Sequence, residues 1–227
     1  REYAAYVARE EPQLTRFATF CTIAEREGHD ARTWPSELRD ARSEAVAALC
    51  AELSARVDHH RWLQFELDRQ LGAAALDATR AGLALGVYQD LAVGSAASGS
   101  DVWSHPELFL HGATVGAPPD MYSDDGQNWG LPAIDPHVLR ATGYDYWTRL
   151  LRSGFRHTGA LRIDHALGLF RMFWIPAGES ARQGAYVTAF TEELLGILAL
   201  ESMRHGALVV GEDLGTVPPE VPGVLER

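Results

Sequence analysis

Ala-Leu-Arg-Ile-Asp-His at 160–165 and Ala-Leu-Val-Val-Gly-Glu-Asp-Leu-Gly at 207–215 decide how this chain folds. In each, a short apolar run ends in a carboxylate, Asp164 in the first and Glu212 in the second. An apolar run bounded this way reads as a strand buried on both faces. The stretch between them carries one long helical pattern, 186–205. Strand, helix, strand predicts two parallel neighbours with both C-terminal ends on the same side. Two acids there, one beside an arginine and a histidine, point to a catalytic pair rather than two solvated charges.

Working outward, 83–90 reads as another buried strand ending in an acid, Asp90. Residues 94–100 form a small-residue loop that does not fit a Gly-x-Gly-x-x-Gly phosphate cradle. Across 112–136 glycines and prolines recur and no helix or strand pattern survives. Met121, Tyr122, Trp129, Leu131 and Ile134 make that stretch too apolar for disorder, so it reads as a long loop ordered over a site. A helix follows at about 144–155, and 167–175 is rich in large apolar groups. Toward the N-terminus, 12–28 has helical spacing and stops at Gly28. Ser36 reads as the N-cap of a segment to about residue 57, and Asp58 as the cap of a helix through Trp62, Phe65, Leu67 and Leu71. The expected organisation is a mainly helical subdomain at 1–81 and an α/β segment at 82–227. The order β, loop, α, β, α, β fits part of a parallel (β/α)8 barrel, and three strands cannot close eight.

The chain has 227 residues and a formal net charge of -11, from 31 acids against 20 bases. Nucleic-acid binding is driven by basic residues, so that class of partner is not expected. An acidic surface suits a neutral substrate. No apolar run reaches the length of a membrane span, and the N-terminus has no signal-peptide pattern. It also lacks a methionine, which fits a piece of a longer chain. Cys21 and Cys50 make no disulfide framework and read as free thiols in a reducing, cytoplasmic setting.

On a strand, residues i and i+2 face the same way, which puts the Arg162 guanidinium beside Asp164. That contact favours the charged carboxylate a nucleophile needs; the structural alternative for Arg162, Asp164 and His165 is a buried ion pair. Glu212 follows an apolar run, where a raised pKa suits a general acid. Asp213 either caps a turn or meets a substrate hydroxyl. A nucleophilic carboxylate and a protonated acid about 5–5.5 Å apart are the equipment of retaining glycosyl transfer, and adjacent strands lie about 4.8 Å apart. Trp103, Tyr122, Trp129, Phe173 and Trp174 flank the pair in sequence and match the apolar faces of sugars; a core role is the alternative for Phe173 and Trp174. The nine histidines show no zinc-type spacing, and neither a nucleophile elbow nor a Walker loop is present.

At these residues the chain resembles the 4-α-glucanotransferases called amylomaltases or disproportionating enzymes, glycoside hydrolase family 77. The resemblance rests on Trp34-Pro35, Gly86-Val-Tyr-Gln-Asp-Leu-Ala-Val-Gly94, Asp101-Val-Trp103, Val115-Gly-Ala-Pro-Pro-Asp120, Gly126-Gln-Asn-Trp-Gly-Leu-Pro132, Leu161-Arg-Ile-Asp-His165, Trp174-Ile-Pro176, Gly184-Ala-Tyr-Val187 and Gly211-Glu-Asp-Leu-Gly-Thr-Val-Pro218. It implies an α/β fold, a partial (β/α)8 TIM barrel with a helical N-terminal subdomain and a long active-site loop, and no metal or organic cofactor. It implies Asp164 as nucleophile and Glu212 as general acid/base, with Arg162, His165, Asp213, Asp120, Gln127, Trp129 and Tyr122 as substrate-binding residues. The expected partner is an α-1,4-glucan or maltooligosaccharide, with no nucleic acid and no membrane. The family's third carboxylate lies in a His-Asp segment beyond Arg227, so the 227 residues alone are expected to show little or no transfer. Two rival readings share the catalytic pair: an α-glucan hydrolase, and a glucan-binding fragment without turnover.

Overall fold

The fold was read from a computed structural model, which describes residues 1–121, 123–214, 217–219 and 221–225. The chain divides into two compact units, Arg1–Ala73 with Ser95–Phe109, and Ala74–Gly94 with Leu110–Arg227.

The first unit is helical. Helices α1 (Glu2–Glu10), α2 (Gln13–Glu27) and α3 (Glu44–Glu52) are followed by α4 (Ser54–Arg80), which begins in this unit, and by the short α5 (Ser100–Ser104). α2 ends at Gly28, whose φ of 95° is open to glycine and unfavourable for residues with a Cβ. Its apolar face meets Trp34, Leu38, Val46 and Trp103 in one buried cluster. Both indoles in that cluster satisfy their N–H, Trp34 on Gly28 O at 2.7 Å and Trp103 on Leu38 O at 2.8 Å. Trp103 is therefore a core residue of this unit. Ser36 caps no α-helix; it begins a single 3-10 turn, Ser36–Leu38. Ser43 is the cap instead, accepting the Val46 N–H at 3.1 Å. Asp58 lies inside α4 rather than at its start and accepts the Tyr3 hydroxyl at 2.5 Å. Ser36 and Asp58 have cap chemistry, but long-range packing placed the helix starts elsewhere.

The second unit contains two sheets. Its elements run β1 (Tyr88–Leu91), β2 (Phe109–Ala117), β3 (Gln127–Ile134), α6 (Pro136–Ala141), α7 (Asp145–Phe155), β4 (Ala160–Ile163), β5 (Arg171–Pro176), β6 (Ala185–Thr188), α8 (Thr191–His205) and β7 (Leu208–Gly211). β1, β4 and β7 form a parallel sheet in that order, with Asp90 opposite Arg162 and Ile163 opposite Gly211. Its entry is tight: a Cβ on Gly159 would sit 1.9 Å from Leu85 O. α7 and α8 pack together. Glu201, 1% exposed, receives hydrogen bonds from Arg152 at 3.0 Å and Arg204 at 2.7 Å.

The second sheet is antiparallel where β2 meets β5 and β5 meets β6, in the order β3-β2-β5-β6. It overturns two expectations. Residues 112–136 are not a structureless loop: they hold most of β2 and all of β3, with a connecting loop of 118–126. Residues 186–188 belong to β6, so the helix predicted from 186 begins only at Thr191. The strand predicted at 83–90 starts later, at Tyr88. Glycine explains the first miss. Gly116 lies in β2, where a Cβ would come within 1.9 Å of Gln127 O. Gly130 lies in β3 with φ of 69°. A glycine inside a strand marks a close backbone approach or a bulge, and it erases the alternation by which a strand is recognised. Among the described residues no helix is long and apolar enough to cross a membrane.

Candidate active site

Both acids stand just past the ends of paired strands. Ile163 and Gly211 are register partners in the parallel sheet, and Asp164 and Glu212 are the next residue on each strand. The backbone continues the ladder there: Asp164 donates its N–H to Leu91 O at 2.9 Å, and Glu212 to Ile163 O at 3.0 Å. The two carboxylates thus leave neighbouring strands at the same end, as strand–helix–strand topology dictates. Both line one cavity of about 970 Å³, together with Trp129, Gln127, Asp120 and His165.

Each carboxylate is oriented by donors. Arg162 donates Nη2 to Asp164 Oδ1 at 2.8 Å. Its other terminal nitrogen, Nη1, reaches both oxygens of Asp90, at 2.7 and 2.8 Å. Asp90 is the cross-strand partner of Arg162, so the guanidinium is clamped between two strands and cannot follow its other rotamers. Asp164 Oδ2 has no hydrogen-bond partner among the described residues. Glu212 is held by the main chain, Oε2 accepting the His165 N–H at 2.9 Å and Oε1 the Leu214 N–H at 2.8 Å. A carboxylate has about four lone-pair sites, so each oxygen keeps one free.

His165 reaches that position through an uncommon backbone. Its φ of 50° and ψ of 57° are left-handed, which costs a residue with a Cβ roughly 1–2 kcal/mol. The turn aims its N–H at Glu212 and its ring at the edge of Trp129, 5.1 Å away at 79°. Burial pushes the imidazole below its usual pKa, against the raising influence of Glu212 and Asp164. The ring therefore enters the site neutral near pH 7.

Trp129 is fixed from a second side, because its indole N–H donates to Gln127 Oε1 at 3.0 Å. Asp120 closes the start of the 118–126 loop, accepting the Ser123 N–H at 2.8 Å. Arg162 does not line the cavity and meets it only through its contact with Asp164. Asp213 is exposed and lies outside the cavity lining. Tyr122 lies outside the described residues. Among the described residues no group of three His, Cys, Asp or Glu is gathered to hold a metal ion. Sequence reading gave no role to Asp90, although an acid ending a strand was visible there; the missing signal was the β1–β4 register that sets it against Arg162.

The antiparallel sheet separates two spaces. Gly116, Phe173 and Tyr186 are register neighbours on β2, β5 and β6, and all three line the cavity that holds Asp164 and Glu212. The alternating positions Val115, Met172, Trp174 and Val187 line a second, mainly apolar space of about 160 Å³, which Asp164 and His165 also border. Phe173 is buried, 5% exposed, yet lines the larger cavity. Trp174 faces away from that cavity.

Comparison with known proteins shows the family. The family model described as 4-alpha-glucanotransferase, glycoside hydrolase family 77, matches residues 1–227. The chain is 46% identical over 219 residues to the 4-alpha-glucanotransferase of Mycobacterium tuberculosis strain H37Rv, covering 96% of this chain and 30% of that protein. It is 43% identical over 188 residues to that of Haemophilus influenzae, covering 83% and 27%. Among solved structures, the amylomaltase from Corynebacterium glutamicum superposes with a TM-score of 0.85 at 37% identity, over 99% of this chain and 30% of that one. The amylomaltase from Streptococcus agalactiae in complex with acarbose gives 0.84 at 27% identity, over 96% and 45%. The chain spans under a third of the length of the curated relatives from Mycobacterium and Haemophilus.

Proposed function

Since the chain belongs to glycoside hydrolase family 77, the 4-alpha-glucanotransferases, we propose that it is part of the catalytic barrel of such an enzyme and carries its nucleophile and its general acid/base. The parallel sheet β1-β4-β7 supplies three neighbouring strands of a (β/α)8 barrel, whose active sites lie at the C-terminal strand ends. The observation that carries the reading is the placement of Asp164 and Glu212 one residue beyond the Ile163–Gly211 register pair. Strands about 4.8 Å apart suit the roughly 5–5.5 Å carboxyl separation of a retaining enzyme.

In this mechanism Glu212 protonates the glycosidic oxygen while Asp164 Oδ2 attacks the anomeric carbon. The C–O bond to the leaving glucan breaks and a glycosyl ester forms on Asp164. Glu212, now ionised, takes the proton of an acceptor 4-hydroxyl, which displaces Asp164 and restores the α-1,4 bond. Arg162, clamped by Asp90, holds Oδ1 so that Oδ2 points to its target. The main-chain donors of His165 and Leu214 fix Glu212 between the two proton transfers. Trp129, positioned by Gln127 and His165, and Asp120 on the 118–126 loop are substrate contacts. The acarbose complex of the related Streptococcus agalactiae enzyme supports an oligosaccharide in this cavity. The setting is cytoplasmic, in keeping with two free thiols, Cys21 and Cys50.

The test is product analysis with maltotriose on the full-length enzyme. Transfer yields both longer and shorter glucans; glucose and maltose alone would establish hydrolysis instead. Asp164→Asn should abolish transfer and any glycosyl ester. Glu212→Gln should lower turnover of ordinary glucans by about 10²–10⁴ yet spare donors with activated leaving groups, which need no protonation. Ordinary glucan activity in Glu212→Gln would assign the acid to another residue.

A further inference from the structure

The register of the antiparallel sheet brings Tyr186 into the cavity of Asp164 and Glu212, although its local sequence predicts a helix. Tyr186 is 40% exposed and lines the same space as Asp164 and Glu212. Two neighbours prevent it from turning. The ring of Phe173, its cross-strand partner, meets it edge-on at 5.2 Å and 71°. The Arg171 guanidinium lies over the ring, 4.1 Å from its centre. Arg171 Nε is buried and has no hydrogen-bond acceptor among the described residues, so the ring is a principal contact of this guanidinium group. Gly184 makes the arrangement possible: a Cβ there would stand 2.3 Å from the Phe173 ring and push it off β6.

We propose that Tyr186, backed by Arg171, is a sugar-binding platform of the catalytic cavity, on the wall formed by β5 and β6 rather than on the loop side that carries Trp129. The inference rests on the cavity being the glucan site argued above. An aromatic face that binds a sugar must be exposed, apolar and fixed. Tyr186 meets all three conditions, with the guanidinium covering one face and a glucose ring meeting the other. A cation over an aromatic ring is held by the ring quadrupole, so Arg171 confers rigidity on the platform without being a ligand of the sugar itself. Binding of this kind is uniform through the reaction, so its loss appears in KM and leaves kcat nearly unchanged.

The experiment is steady-state kinetics of the full-length enzyme with maltoheptaose, with thermal unfolding measured in parallel. Tyr186→Ser should raise KM about tenfold, the scale of one lost aromatic contact, with kcat within about threefold and an unchanged unfolding temperature. Tyr186→Phe should stay within about twofold, since the ring face is retained. Arg171→Met should raise KM severalfold, because the ring loses its backing. An unchanged KM in Tyr186→Ser would overturn the platform and leave the transferase reading standing. So would a fall in kcat that tracks a lowered unfolding temperature, which marks a packing role. A wild-type enzyme that neither binds nor transfers maltoheptaose would overturn the transferase reading, and the platform with it.

Discussion

The two sheets of the second unit divide the work and differ in how they are written. The parallel sheet β1-β4-β7 carries Asp90 and Arg162 within, and Asp164 and Glu212 one residue beyond, strands of four residues each. The antiparallel sheet β3-β2-β5-β6 carries Gln127, Trp129, Phe173 and Tyr186 on strands of four to nine. One sheet aims charges; the other presents rings. Changes in the first should therefore fall on kcat and changes in the second on KM, a division that mutants of the full-length enzyme can break or sharpen.

The largest effect is expected at Gly116. Alanine there places a Cβ 1.9 Å from Gln127 O, so β2 and β3 must separate. The expected loss is about 4 kcal/mol of stability, measured by denaturant unfolding. A variant of wild-type stability would mean that the hairpin is loosely paired and that its glycine is not a packing requirement.

Asp90→Ala comes next, on the parallel sheet. Arg162 loses its bidentate anchor and Asp164 Oδ1 loses a fixed donor, while no sugar contact is removed. A misplaced reacting group costs about 10²-fold in rate; kcat should fall by that order with KM nearly constant. A rise in KM alone would place Asp90 in sugar binding and erase the distinction between the sheets.

Trp129→Ala tests the opposite side of that distinction. It should weaken maltooligosaccharide binding by about 2 kcal/mol, the scale of burying an aromatic side chain, and leave folding nearly intact. Equal affinity in a calorimetric titration would remove Trp129 from the groove. A large drop in thermal stability would make it a packing residue.

The smallest effect is a control outside both sheets. Burial tends to raise the pKa of Glu201, but hydrogen bonds from Arg152 and Arg204 outweigh it and hold the carboxyl below the ordinary 4.5. A depressed carboxylate contributes stability above the unfolded value, and that stability is lost as pH falls through the folded one. Glu201→Gln should cost about 1.5 kcal/mol at neutral pH, the low end for a charged hydrogen bond because both arginines are half exposed. Its stability should also depend less on pH below about 4.5. Activity at neutral pH should not change. An undiminished acid slope in unfolding experiments would assign the titration to other carboxylates.

β4 and β7 were legible because each is a short run of mostly apolar residues followed by a carboxylate, and the strand–helix–strand order then placed Asp164 and Glu212 on one side. α7 and the Gly28 stop of α2 were legible for a similar local reason. The antiparallel strands were not. In β2 and β3, Gly116, Gly130 and Pro132 interrupt the alternation, and in β6 four residues run into the helix α8 without a breaker. Those strands exist because partners across the sheet complete their hydrogen bonds, which no local window records.

By itself the sequence determined which residues are candidates for the chemistry. The strand-end acids, the arginine two positions before Asp164 and the Gln-Asn-Trp-Gly segment are visible from residue type and spacing, because a strand has a fixed period of two. Burial on both faces, expected for both acid-bearing strands, holds for β4 but not for β7, where Leu208 and Val210 are exposed. Tertiary structure alone decided what those residues touch. The β1–β4 register set Asp90 against Arg162. The left-handed turn at His165 gave Glu212 a main-chain donor. The β5–β6 pairing brought Tyr186 into the cavity, and the packing of α2 drew Trp103 away into a helical core. Each is a pairing between residues far apart in the chain, and register is set by burial and hydrogen bonding across the sheet rather than by either strand's own sequence.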